Sequence, residues 1–310
     1  MKKILSLIKT HIREDFKVNY YFTIALFLAI SVVLNYAIDL ENSWIDKQDK
    51  NFTRVISYFF LYGFGYYVSC LIVSCFNSTK EFWGSTKFFI YSFFGIIVLC
   101  IDKSFVLSST LLNLPDQTYE VYLWLFKVVT NGTSFILVLL PLTVFYKTID
   151  KEKSEFYGLT AYSNIKPYLY LLIFLAPFII FAGLQTSFTN YYPIYKNNSV
   201  HELWGWPKYL PMMIFEFIYG ADFFNVELLF RGFFVVGIAQ VLGKHAIMPT
   251  VVIYCYLHFG KPVGEAISSI LGGYILGIIA FYTRSLLGGV TIHIGIAWLM
   301  EAVAYFVKQF

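Results

Sequence analysis

Residues 208–241 read KYLPMMIFEFIYGADFFNVELLFRGFFVVGIAQV, an apolar run longer than the roughly 20 residues an untilted helix needs to cross a bilayer. Comparable runs fall at about 19–40, 54–76, 87–102, 119–147, 167–185, 246–259, 262–283 and 285–307, separated by short polar connections. Their lengths suit helices rather than strands. With 58% hydrophobic and only 14% charged residues, the chain carries more apolar surface than one water-soluble core hides, which leaves lipid as the solvent. The expected fold is all-α, a polytopic transmembrane bundle of eight or nine helical elements, some broken or tilted.

Charge placement supplies the orientation. The first residues, MKKILSLIKTHIREDFKV, mix Lys2, Lys3, Lys9, Arg13 and Lys17 with apolar residues at near-helical spacing, which predicts an interfacial amphipathic helix. No small-residue cleavage site precedes the first long run, so this segment is expected to be retained. By the positive-inside rule it faces the cytoplasm, together with the connection from Lys147 to Lys166 that contains Lys151 and Lys153. The connection from Thr186 to Pro207, with Trp204 and Trp206, then falls on the opposite side as an aromatic belt. A net charge of +4, spread over connections, is no nucleic-acid footprint; the bilayer is the expected partner and nucleic acid is not. Cys70, Cys75, Cys100 and Cys255 lie inside apolar runs without metal spacing and receive no chemistry.

Within the opening stretch, Asn225-Val226-Glu227-Leu228-Leu229-Phe230-Arg231-Gly232 places a carboxylate and a guanidinium four residues apart, on one helix face. Each charge near the bilayer centre costs about 2.5–3.5 kcal/mol, so such residues persist with partners, water or a purpose. A structural ion pair locking helices together is the plainer reading. Two histidines strengthen the functional one, because only His258 and His293 of the five in the chain lie within apolar runs. Glu227 and His258 stand at similar distances on either side of a turn at Gly243–His245, and equal rise per residue predicts similar depth; His293 follows a second turn at Thr283-Arg284. Glu265 is a possible accessory, with a first-turn position after Pro262 as its structural explanation, and Glu301 is a weaker one. Gly273 and Gly277 form a GxxxG step that predicts close helix contact and nothing about chemistry.

A glutamate, two imidazoles and an arginine in a water-poor interior are parts for hydrolysing an amide. Glu227 would deprotonate water, one histidine would assist and the other would stabilise the oxyanion. The chemistry requires no cofactor in that form. Alternatively Glu227, His258 and His293 would hold a divalent metal such as zinc with an open water position. Neither an HExxH pair nor a GxSxG elbow occurs, and no aspartate pair is evident within the apolar runs.

These residues resemble the CPBP family of intramembrane proteases, the CAAX prenyl proteases and their bacteriocin-immunity-like (Abi) relatives. That family's pattern is EExxxR, then FxxxH, then HxxxN or HxxxD on successive helices. Here Glu227 and Arg231, then Tyr254 and His258, then His293 match it, while Val226, Tyr254 and Ala297 depart from it. The resemblance spans about residues 205–308 and includes HFGKPVGEAISSILGGYILG and TRSLLGGVTIHIGIAWLME, which look like bacterial members. It implies a protease-like core over 161–310 behind N-terminal transmembrane helices over 1–160, in a bacterial cell membrane. The activity it implies is endopeptidase cleavage of a membrane-associated peptide or protein, with Glu227, Arg231, His258 and His293 as site residues. A non-catalytic scaffold or immunity protein is the alternative, and an ion-coupled transporter ranks last.

Overall fold

A backbone in lipid has no water to bond, so each apolar run closes its own hydrogen bonds by becoming helix. The computed structural model describes residues 2–77, 79–105, 118–152, 155–160, 164–195 and 199–308. Helices α1 (Lys2–Asp15), α2 (Val18–Ile38), α3 (Asn51–Asn77), α4 (Thr86–Ser104), α5 (Tyr119–Thr148) and α6 (Lys166–Gly183) come first. Next, α7 (Leu210–Glu227) runs on as a π-wound stretch, Leu228–Gly237, and a turn at Gly243–Ala246 reverses the chain into α8 (Ile247–Tyr256). Finally α9 (Val263–Thr283) and α10 (Leu287–Val307) complete the bundle. Seven spans among the described residues are long and apolar enough to cross a membrane, the folded-back run Leu210–Tyr256 counting as one. The chain is a polytopic helical membrane protein. Lys153 and residue 161, which the charge and boundary readings used, lie outside the described residues.

Local signals set the helix ends. The Ser85 hydroxyl accepts the Phe88 N–H at the start of α4, and Thr118 does the same for Val121 at the start of α5. α9 stops at Arg284, whose φ of 53° is left-handed and cannot continue the helix. Within α5 the winding widens to π over Phe135–Leu139, directly after Ser134.

The helices of the N-terminal half hold those of the C-terminal third in place. On α2, the Ser31 hydroxyl lies 2.7 Å from the Tyr256 hydroxyl, Asn35 Nδ2 donates to the Phe259 carbonyl at 3.1 Å, and Tyr36 donates to the Lys261 carbonyl at 2.6 Å. These bonds fix the turn between α8 and α9, which would otherwise leave its carbonyls unpaired. The amphipathic α1 lies against α9, with Tyr282 donating to Glu14 at 3.0 Å. Ile173, Phe174, Phe178 and Phe181 of α6 are exposed, as a lipid-facing helix requires. The indole rings of Trp124, Trp204 and Trp206 cluster as an aromatic group. The GxxxG step makes the close contact its sequence predicts: a Cβ on Gly273 would stand 3.0 Å from the Tyr254 ring.

Candidate functional site

Glu227 closes α7 and Arg231 lies one turn on, in the π-wound stretch. Their side chains are 0% and 1% exposed, and Arg231 Nη1 stands 3.1 Å from Glu227 Oε1. From α10, His293 Nδ1 approaches the same carboxylate oxygen to 3.0 Å. An ionised carboxylate only accepts, so Nδ1 carries the imidazole proton and Nε2 is left as an acceptor. Tyr254 of α8 fills that acceptor, its hydroxyl 3.2 Å from His293 Nε2. The Tyr254 ring also stacks under the Arg231 guanidinium at 4.1 Å, and Phe223 covers the His293 ring at 4.4 Å. Three helices thus converge on one carboxylate.

The close approach of α10 depends on a missing side chain. A Cβ at Gly289 would collide with the Glu227 carboxylate. Even so, the cluster is not saturated. Glu227 Oε2 and the Arg231 Nε, Nη1 and Nη2 nitrogens are buried without a hydrogen bond, although the ion pair itself is in place. Buried polar atoms in that condition cost about 1–3 kcal/mol each, more when charged, which is tolerated where water or a substrate completes the set.

His258 borders this cluster through Tyr254, whose ring it meets edge-on at 4.7 Å. α8 ends at Tyr256, so His258 occupies the following turn, where its Nδ1 donates to the Tyr254 carbonyl at 2.8 Å. Its Nε2 faces Glu265, 3.9 Å from Oε1. Glu265 is in turn held by Lys261 Nζ at 2.6 Å and by the Tyr192 hydroxyl at 2.9 Å. Burial, reinforced by the Lys261 charge, holds the His258 imidazole well below the ordinary histidine value and therefore neutral. The residues between Glu227 and the turn are π-wound, with more residues per unit of rise than an α-helix, and the first side chain that α8 brings to the His293 imidazole is Tyr254.

Glu265 therefore belongs beside His258. Glu301 belongs to neither group: its carboxylate accepts the Ile194 N–H at 2.7 Å and the Tyr195 N–H at 3.1 Å, tying down the connection before α7. The metal alternative does not fit. Both His293 nitrogens are committed to protein partners, His258 Nε2 faces Glu265, and among the described residues no three His, Cys, Asp or Glu side chains gather to hold an ion. No step below passes through a metal.

Two features escaped the motif reading. Tyr254 registered only as a replacement for phenylalanine, yet its hydroxyl completes the His293 contact. A polar contact between helices also exists in space: Asn225 Nδ2 of α7 stands 3.4 Å from Asp222 Oδ1 and 3.5 Å from the Ser134 hydroxyl of α5. The signal for Asp222 was a lone carboxylate in the middle of the opening apolar run.

Residues 206–299 match the family model described as Type II CAAX prenyl endopeptidase Rce1-like. The match takes in Glu227, Arg231, Tyr254, His258, Glu265 and His293 and stops short of Glu301. No curated protein and no solved structure gives a match to the chain. From Trp206 to Leu299, the stretch bearing the Glu227, Arg231 and His293 cluster, the chain is similar to the Rce1-like type II CAAX prenyl endopeptidases.

Proposed function

We propose that the chain is an intramembrane endopeptidase that hydrolyses a peptide bond in a membrane-associated peptide or protein, with Glu227 and His293 as the water-activating pair. The observation that carries this reading is the hydrogen-bonded line from Tyr254 through His293 to Glu227. A water entering at the Tyr254 hydroxyl would lose a proton to His293 Nε2, and the imidazolium so formed is stabilised by Glu227 through Nδ1–H. Arg231 holds the Glu227 carboxylate in place for that task, Nη1 to Oε1 at 3.1 Å. The Tyr254 hydroxyl, released from His293, is placed to donate to the carbonyl oxygen as negative charge develops there. His258, with its Nδ1–H committed to backbone, offers an acceptor at Nε2 and so suits holding a substrate N–H better than an oxyanion. In this reading residues 161–310 form the hydrolytic core and 1–160 its support, with the N terminus on the cytoplasmic face of a bacterial cell membrane.

The test is cleavage of membrane-anchored peptides, with and without a prenyl group, by the full chain in proteoliposomes. Wild type is expected to cleave and Glu227→Gln and His293→Gln are expected to lose turnover; equal turnover in all three overturns the reading. A second reading, a non-catalytic scaffold, is favoured by the near-zero exposure of Glu227 and Arg231, as in an ion pair that only locks helices. Val226 and Ala297, in place of the residues the family pattern led us to expect, point the same way. Absence of cleavage by the wild type, together with unfolding of Glu227→Gln, establishes that second reading.

A further inference from the structure

A cavity of about 340 Å³ opens beside the amphipathic α1, where α6 and α10 begin. Its polar wall is Lys3 of α1, Thr160 and Asn164 of the connection before α6, and Thr283 and Ser285 at the junction of α9 and α10. Ile4, Leu7 and Tyr168 belong to its apolar wall. The volume falls within the roughly 300–1,000 Å³ of small-molecule sites. α1 puts the cavity at the membrane surface, because it exposes Lys2, Lys3, Lys9 and Arg13 together with Leu5 and Ile12, as a helix lying among lipid headgroups does.

Counting donors and acceptors gives the sign of the ligand. Ser285 is 6% exposed, and its hydroxyl oxygen accepts from Thr160 at 3.1 Å and from the Leu287 N–H at 3.4 Å, so its own proton is left to donate. Asn164 accepts the Lys166 N–H at 3.1 Å through Oδ1, which leaves its Nδ2 protons. Lys3 brings an ammonium with no ion-pair partner among the described residues, and no carboxylate lines the cavity. α6 and α10 start at Lys166 and Leu287, which adds the positive ends of two helix dipoles. Donors and positive charge are in surplus here. An acceptor-rich anion completes that set, and the apolar wall suits one that carries hydrocarbon.

We propose that this cavity binds the phosphodiester of an anionic phospholipid, whose phosphate oxygens take the Lys3, Asn164 and Ser285 protons and whose glycerol and upper acyl carbons lie on Ile4, Leu7 and Tyr168. A free phosphate ion shares the oxygen chemistry but leaves the apolar wall unused. Bound there, the lipid ties together α1, the connection before α6 and the α9–α10 junction, three segments far apart in the chain. The site uses none of Glu227, Arg231 and His293 and does not rest on the hydrolytic reading.

The test is native mass spectrometry of the full chain, released into detergent from nanodiscs of equal parts phosphatidylglycerol and phosphatidylcholine with matched acyl chains. The wild type is expected to retain one phosphatidylglycerol per chain in preference to phosphatidylcholine. Lys3→Gln, a change at an exposed side chain, is expected to lower that retention by about fivefold, the share of one lysine beside anionic lipid. Lys2→Gln, exposed on the same helix but outside the cavity, is expected to leave it unchanged. Ser285→Ala is expected to lower it. Equal retention of the two lipids overturns the proposal, as does an equal fall in Lys3→Gln and Lys2→Gln, which reduces the effect to surface charge. Displacement of the retained lipid by millimolar inorganic phosphate assigns the cavity to the free ion and overturns the lipid reading. If Ser285→Ala fails to fold, the comparison of the two lysine variants decides.

Discussion

Glu227 and His293, 66 positions apart in the chain, meet at 3.0 Å through a carboxylate oxygen and an imidazole nitrogen that point at each other across α7 and α10. The contact fixes the tautomer of His293 and leaves its second nitrogen facing Tyr254. Replacing His293 by Gln keeps a polar side chain of similar reach but removes the imidazole that accepts a proton. Turnover in the proteoliposome assay should fall by about 10²-fold or more, the usual contribution of a positioned general base. A variant as active as wild type excludes His293 from the chemistry.

A second prediction concerns Gly289. Its Ala variant adds one carbon where the Glu227 carboxylate already lies, and overpacking of this kind costs about 1–3 kcal/mol. Thermal unfolding in detergent should show the loss. Gly272→Ala is the control, since a Cβ there meets nothing within 4 Å and alanine is the better helix former. If both variants melt alike, the close approach of α10 to Glu227 is not what position 289 is for.

Much of this architecture was legible in the sequence because it follows from one-dimensional rules. Lipid forces apolar runs into helices, so each run from 19–40 to 285–307 contains a helix in the structure. The i, i+4 spacing brings Glu227 and Arg231 together even through π winding. Whether His258 would reach Glu227 was not legible, because that depended on rise per residue in Leu228–Gly237, and apolar composition does not specify winding. The Asn225–Ser134 contact was invisible for another reason: it depends on which helices become neighbours, and no local pattern encodes that.

Acid should act on His258 in a definite direction. Burial holds its folded-state value well below 6.5, whereas the unfolded imidazole takes up a proton as the pH falls through that value. The unfolded state then binds more protons than the folded one, so stability present above 6.5 is progressively lost below it. His258→Gln should flatten that part of the stability profile, measured as melting temperature against pH in detergent. An unchanged slope means that His258 is already protonated in the folded protein or does not titrate in this range.

Glu301 should matter to structure rather than to chemistry. Glu301→Leu leaves the N–H groups of Ile194 and Tyr195 without their acceptor, at about 1–3 kcal/mol for groups left unpaired. Limited proteolysis should cut the connection ahead of α7 faster, while the proteoliposome turnover that depends on Glu227 is retained. Loss of turnover with no change in proteolysis reverses that assignment and puts Glu301 in the reaction.

The wide winding of Leu228–Gly237 separates residue count from geometry in the one helix where both matter. Deleting a single residue between Glu227 and Arg231 would let the segment relax toward 3.6 residues per turn and rotate one side against the other by about 100°. Glu227 would lose Arg231 or His293, since it can no longer face both, although the composition and apolar character of the run would hardly change. Which partners the carboxylate meets is therefore written in the spacing of this stretch as much as in the identity of its residues.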